Sequence, residues 1–222
     1  MDSLFNGDLT SRSGRWLAWI DSLLVDHSVL RLVWGNEGVV VPGRLYRANH
    51  PTPGRLARLA RRWRLRSVIN LRGATTSGSD ALAREAAARL GLVFIDAPVA
   101  SRTPRRADVL ALCEALRTMP EPALVHCKSG ADRAGFAAAV FLLLQGETSA
   151  AALAQLSWRH GHLRGSRTGI LDALIRRYAE QAEGRISFPE WVRTEFDDQA
   201  LERDFAPRGL ASFIADRLLA RE

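Results

Sequence analysis

Ten consecutive residues carry the chemistry of this chain: His126-Cys127-Lys128-Ser129-Gly130-Ala131-Asp132-Arg133-Ala134-Gly135. A short apolar run, Ala123-Leu124-Val125, precedes them, and a longer one, Phe136 to Leu144, follows. The pattern predicts a buried strand, a tight loop and a buried helix. Cys127 and Arg133 bracket the turn. A loop of this kind, opening a helix, points backbone N–H groups at one spot and suits an anion. A cysteine beneath such a cradle is placed to attack phosphorus.

The residue types fit that chemistry. A free thiol, with a pKa of about 8.5, is only a few per cent ionised at neutral pH. Inward amides, the helix dipole and Arg133 all favour the thiolate. Arg133 is expected to grip two phosphoryl oxygens as a planar fork and to stabilise their charge during attack. Gly130 allows the turn without steric cost. Gly135 lets the helix pack closely on the strand or leaves room beside the loop. His126 is expected to hydrogen-bond the loop and hold Cys127 in place rather than act as a base. Lys128, Ser129, Gly130 and Ala131 form the rest of the phosphate cradle.

The segment resembles the H-C-x5-R signature of cysteine-dependent phosphatases, the tyrosine, dual-specificity and lipid phosphatases. Pro42-Gly43-Arg44-Leu45-Tyr46-Arg47 and Val68-Ile69-Asn70-Leu71-Arg72 look like the opening of bacterial and atypical dual-specificity members. The resemblance spans about residues 40–180. It implies a nucleophilic Cys127, a phosphate-binding Arg133 and a phosphocysteine intermediate hydrolysed in a second step. One position departs: where the family usually has Ser or Thr after the arginine, this chain has Ala134. Hydrolysis of the intermediate is then slow, or Ser129 substitutes. A noncatalytic phosphate-binding module is the reading that Ala134 alone supports.

A phenolic leaving group, with a pKa of about 10, wants a proton. Two aspartates compete to supply it. Asp132 sits inside the loop, where some bacterial tyrosine/lipid phosphatases and myotubularin-like proteins carry a proposed acid. Asp96 ends the apolar stretch Leu92 to Ile95, ahead of Ala97 to Thr103, where most of the family carries a mobile acid loop. Asp132 is the first choice and Asp96 the reserve. Each has a plainer alternative: a loop brace for Asp132, a turn or cap for Asp96.

Of 31 basic side chains other than histidine, only Lys128 is lysine. Similar loops in lipid phosphatases and some bacterial members also place Lys after the cysteine. The net charge of +7 suits anionic substrates, from phosphoproteins to lipid or small-molecule phosphates, and leaves room for contact with an anionic membrane surface. The arginines at 55, 58, 61, 62, 64 and 66 are read first as a solvated helix face. Nothing indicates nucleic-acid binding. His160-Gly161-His162 lacks a third metal ligand, so neither metal nor cofactor is implied. Asp26-His27 reads as a cap or turn.

The chain has 222 residues, enough for one full core. Its two cysteines make no disulfide framework, and Cys113 lies on an apolar helical face; a reducing, cytoplasmic setting is expected. Strand and helix signals alternate, predicting an α/β single domain: a central mixed or parallel sheet flanked by helices, with a helical C-terminal extension. Strands are expected around 39–46, 67–71, 93–95 and 123–127. Helices are expected at 14–25, from Thr52-Pro53, at 79–90, from Thr103-Pro104, and at 148–158, 168–181, 188–205 and 207–221. The division is 1–35 as an N-terminal helical extension, 36–182 as the phosphatase domain, and 183–222 as a C-terminal extension packed on it. The Trp16-Trp19 stripe of the first helix is expected to dock on the core rather than at a membrane interface. The oligomeric state stays open.

Overall fold

The computed structural model describes residues 5, 9–24 and 35–206. The expected helix at 207–221 and the Asp26-His27 pair lie outside the described residues. The sheet has five strands: β1 (Gly38–Val41), β2 (Leu45–Ala48), β3 (Ser67–Asn70), β4 (Val93–Asp96) and β5 (Ala123–His126), in the order β1-β2-β5-β3-β4. β1 runs antiparallel to β2, across the turn at Pro42-Gly43. The other pairings are parallel, so the sheet is mixed, as expected.

Helices cover both faces: α1 (Arg12–Leu24), α2 (Pro53–Trp63), α3 (Gly78–Arg89), α4 (Arg106–Thr118), α5 (Asp132–Leu144), α6 (Ser149–Leu153), α7 (Ile170–Gln181), α8 (Phe188–Thr194) and α9 (Asp198–Asp204). Local signals set their ends. Thr52 caps α2 by accepting from Arg55 N, with Pro53 in the first turn. Ser77 caps α3, and Gly91 follows it at φ +67°.

Side-chain alternation along the strands divides the interior. Leu45, Ile69, Leu71, Ala123, Val125 and Cys127 join the main core with α4, α5, α7 and α8, centred on Phe136, Phe141 and Trp191. Tyr46, Val68 and Leu124 face the other way, onto Leu56 and Leu59 of α2 and Ala87 of α3. Residues beyond 183 contribute Phe188, Trp191, Val192, Phe196 and Leu201 to the main core. Apolar burial of this kind contributes about 1.5–3 kcal/mol per large side chain.

Four expectations are corrected. The first helix docks through a different face: Ala18 and Asp21 are buried against α3, while Trp16 is 67% exposed. The cause is close backbone approach. A Cβ on Gly78 would lie 2.4 Å from Ala18 O, and Asp21 Oδ2 accepts the Gly78 N–H at 2.7 Å. The helix expected from Thr103-Pro104 starts at Arg106, after extended Arg105. The stretch 148–158 is helical only to Leu153, continuing into a 3-10 turn at Trp158–His160. The stretch 188–205 breaks into α8 and α9, because Asp197 takes an extended conformation and caps a new helix through Ala200 N at 2.9 Å.

Candidate active site

The parallel register sets Ala48, His126, Asn70 and Asp96 level with one another at the C-terminal ends of four neighbouring strands. An open α/β sheet binds its ligands at this edge. The residue after His126 is Cys127, and the signature loop runs from it into α5.

The loop closes over the thiol. Gly130 N–H donates to Cys127 Sγ at 3.2 Å. Gly130 has φ +75°, and a Cβ there would lie 2.6 Å from Asn49 N, so only glycine fits. Arg133 begins α5 beside the thiol and donates weakly to Leu71 O at 3.5 Å. Burial lowers its guanidinium pKa from the ordinary value, and attraction to Cys127 opposes that. Leu71 O also accepts the Val99 N–H at 3.3 Å, which draws the segment after Asp96 alongside Arg133. The structure therefore gathers Cys127, Lys128, Ser129, Gly130, Ala131, Asp132 and Arg133 into one loop.

His126 is held mainly by packing. Its ring nitrogens reach no side-chain partner, and a contact with the Cys127 backbone pulls its pKa upwards against burial. The ring is fully buried, edge-on to His50 at 4.8 Å and near Phe94. Burial holds its pKa well below the usual histidine range, with His50 and Arg72 adding to the effect. It positions the loop by packing as a neutral ring. The backbone does the bonding: His126 O accepts from Leu71 N at 2.9 Å, and Lys128 O from His50 N at 3.3 Å.

Three groups support the loop in a role the sequence did not assign them. Arg47 in β2 is fully buried. Its guanidinium donates to Gly130 O (2.8 Å), Ala131 O (3.0 Å) and Gln155 O (2.7 Å), clamping the loop from behind. Burial lowers its pKa to about 10, while Cys127 and Asp132 attract the charge. Gly135 makes room for it: a Cβ there would lie 3.1 Å from the guanidinium and 2.9 Å from Gln155 O. Asn36, at φ +48°, donates to Ser129 O and His160 O, both at 2.9 Å, and its Oδ1 meets His160 Nδ1. The third group is His162, whose ring contacts Asp132. The charged Arg47 within an otherwise apolar strand was the one readable signal.

The two aspartates are held differently. Asp132 is 5% exposed, and its Oδ1 meets His162 Nδ1 at 2.7 Å and accepts from Thr168 at 3.0 Å. Asp96 Oδ1 accepts from Asn70 Nδ2 at 3.0 Å and Arg84 at 2.8 Å, cross-linking β3, β4 and α3. The His160/His162 pair is split between two networks, and no cluster suited to a metal occurs among the described residues. Cys113 is buried in the core and its thiol is pushed up to about 12 by burial. Among the described residues no helix is long and apolar enough to cross a membrane. Glu37 pairs with Arg58 at 2.5 Å and lies within 4 Å of Arg55 and Arg62, so part of the basic α2 face is neutralised.

Comparison with known proteins agrees with this geometry. A family model described as tyrosine phosphatase family matches residues 33–156, over half of the chain. No curated protein sequence matches. Among solved structures, TpbA of P. aeruginosa superposes with a TM-score of 0.52 at 22% identity, covering 77% of this chain and 90% of its own. A DUF442 protein from Shewanella putrefaciens gives 0.52 at 20% identity, covering 68% of this chain and 99% of its own. These two likenesses establish the fold, while the family model, matching through the signature loop, places the chain in the tyrosine phosphatase family as a phosphatase.

Proposed function

We propose that the chain hydrolyses phosphomonoesters of the phosphotyrosine or dual-specificity type through a phosphocysteine intermediate. The observation that carries this reading is Cys127 Sγ under the Gly130 amide, with Arg133 entering α5 beside it. In the first step Sγ attacks phosphorus and the P–O bond to the leaving group breaks, its electron pair staying on the departing oxygen. Arg133 and the loop amides hold the equatorial oxygens as charge builds. Asp132 gives the leaving oxygen a proton. Water then attacks phosphocysteine, releasing phosphate and thiolate, and Asp132 recovers its proton from that water. Ala134 offers no hydroxyl for the second step. Ser129, the loop's own hydroxyl, is the substitute.

A second reading, phosphatase action on lipid or small-molecule phosphates, is favoured by Lys128 standing in the loop of a chain otherwise without lysine. A panel of p-nitrophenyl phosphate, phosphopeptides and phosphoinositides separates the two. Cys127→Ser should abolish turnover in the presence of EDTA as in its absence. Arg133→Lys should be nearly as damaging as Arg133→Ala, because lysine lacks the fork. Turnover in Cys127→Ser, or its loss from the wild type on adding EDTA, refutes the thiolate mechanism. Phosphate binding without turnover in the wild type marks a noncatalytic module.

A further inference from the structure

Behind Asp132 lies a buried polar chain that the reaction above does not use. His162 is 1% exposed. Its Nδ1 lies 2.7 Å from Asp132 Oδ1 and its Nε2 lies 2.5 Å from Asp172 Oδ2. Asp172 is itself buried, and its Oδ1 is 3.2 Å from Arg164 Nε. Thr168, also buried, donates to Asp132 Oδ1 at 3.0 Å. His162, Thr168 and Asp172 all fall beyond residue 156, outside the segment matched to the family.

A proton count fixes how this chain is wired. A neutral imidazole has one N–H, so a ring with carboxyl oxygens at both nitrogens needs a second proton in one of the two bonds. Burial alone would lower the His162 pKa, but the bonds to Asp132 and Asp172 outweigh it and raise the value. This favours the imidazolium, which donates both ways, with Asp172 as its counter-charge and Arg164 holding Asp172. Arg47 and Arg133 also interact with Asp132 through their charges. On this count Asp132 Oδ1 receives two donors, His162 Nδ1–H and the Thr168 hydroxyl.

We propose that His162 is a positioning residue for Asp132: with Thr168 it holds Oδ1 and fixes the rotamer from which Asp132 gives up its proton. The proposal rests on the reading of Asp132 as the acid. When that proton passes to the leaving oxygen, the new negative charge on Asp132 is met at Oδ1 by an N–H already in place. No group has to reorient at the moment of transfer, which is the economy of a preorganised site.

The test compares phenyl phosphate, a poor leaving group, with p-nitrophenyl phosphate, an activated one. General acids supply about 10²–10⁴-fold, and the loss falls mainly on the poor leaving group. Asp132→Asn should show that selectivity in kcat/KM, which reports the step in which the leaving group departs. His162→Gln should copy it, losing at least about tenfold more on phenyl phosphate than on p-nitrophenyl phosphate. Asp172→Asn should keep the wild-type ratio. An Asn amide can donate to Nε2, so a neutral imidazole with Nδ1–H still serves Asp132. Equal losses on both substrates in His162→Gln, with Asp132→Asn selective, would overturn the role of His162 and leave the acid in place. No selectivity in Asp132→Asn would overturn the acid assignment itself. Should His162→Gln fail to fold, ¹⁵N shifts of His162 in the wild-type protein decide: a protonated Nδ1 is expected, and an unprotonated Nδ1 at neutral pH would refute the proposal.

Discussion

Arg47→Met should unfasten the signature loop. The wild-type guanidinium makes three bonds of 2.7–3.0 Å to Gly130 O, Ala131 O and Gln155 O. Hydrogen bonds involving a charged group are worth about 1.5–3 kcal/mol each, or roughly 4–9 kcal/mol for three. Against this stands burial of the charge. Lowering the Arg47 pKa from 12.5 to about 10 corresponds to about 3 kcal/mol disfavouring the cation. The difference, roughly 1–6 kcal/mol, brackets the 3–5 kcal/mol typical of removing one partner from a buried charged network. Methionine fills much of the volume, so the loss is one of bonding rather than of packing. We expect Arg47→Met to lower unfolding free energy by about 3 kcal/mol in urea titrations at unchanged m. Because Gly130 and Ala131 belong to the phosphate cradle, kcat/KM on p-nitrophenyl phosphate should fall by about 10²-fold in protein that is still folded. Arg47→Lys should recover little, since one ammonium cannot span three carbonyls of fixed position. A methionine variant within about 1 kcal/mol of wild type and within about threefold in kcat/KM would show that the clamp is dispensable.

Gly130→Ala combines a positive φ with a Cβ placed 2.6 Å from Asn49 N. It should cost about 2–3 kcal/mol by thermal denaturation and at least about tenfold in kcat/KM; a neutral result would mean the loop and β2 separate freely. In the acid range, His126 and His160 share one sign: both have folded pKa values depressed by burial, to about 4 for His160. The unfolded chain takes up protons near 6.5 and the folded one does not, so this stability is complete above about 6.5 and is lost as pH falls towards 4. His160→Asn should therefore flatten part of the stability loss between those values, and an unaltered slope in urea titrations across that range would refute the assignment. Cys113, buried and pushed up to about 12, should resist iodoacetamide at neutral pH. Mass spectrometry should find a single modified thiol, Cys127, protected by inorganic phosphate; modification of Cys113 in folded protein would contradict its burial.

The residues that do chemistry announce themselves because they are contiguous. Cys127 to Arg133 is one loop, and its flanking apolar runs identify strand and helix directly. The cap at Thr52-Pro53 is legible for the same reason, its cause lying within a few residues, whereas the stretch 39–46, expected as one strand, folds at Pro42-Gly43 into two antiparallel strands. What holds the loop is not contiguous. Arg47 reaches carbonyls more than eighty residues away, and Asn36 reaches Ser129 across 93. Such partners are set by strand order, which periodicity does not contain. The first helix shows the same limit. Its tryptophans define an apolar face, yet the small Gly14 and Ala18 lie on the buried side, because Gly78 of α3 admits a backbone and no larger group. His160 and His162 read alike as a pair one residue apart, and only the fold sends one ring to Asn36 and the other between two carboxylates.

The level row of Ala48, Asn70, Asp96 and His126 also separates what this fold can change from what it must keep. Four segments leave the sheet from one line: towards His50, Arg72, the 97–105 stretch and the signature loop. Each departs from its own strand, so the first three can lengthen, shorten or change composition without shifting the register beneath them. The strand that leads into Cys127 is in the middle, paired on both sides, and a slip of one residue there would turn Cys127 to the opposite face. The rim can therefore vary while the thiol and its cradle stay fixed by the sheet.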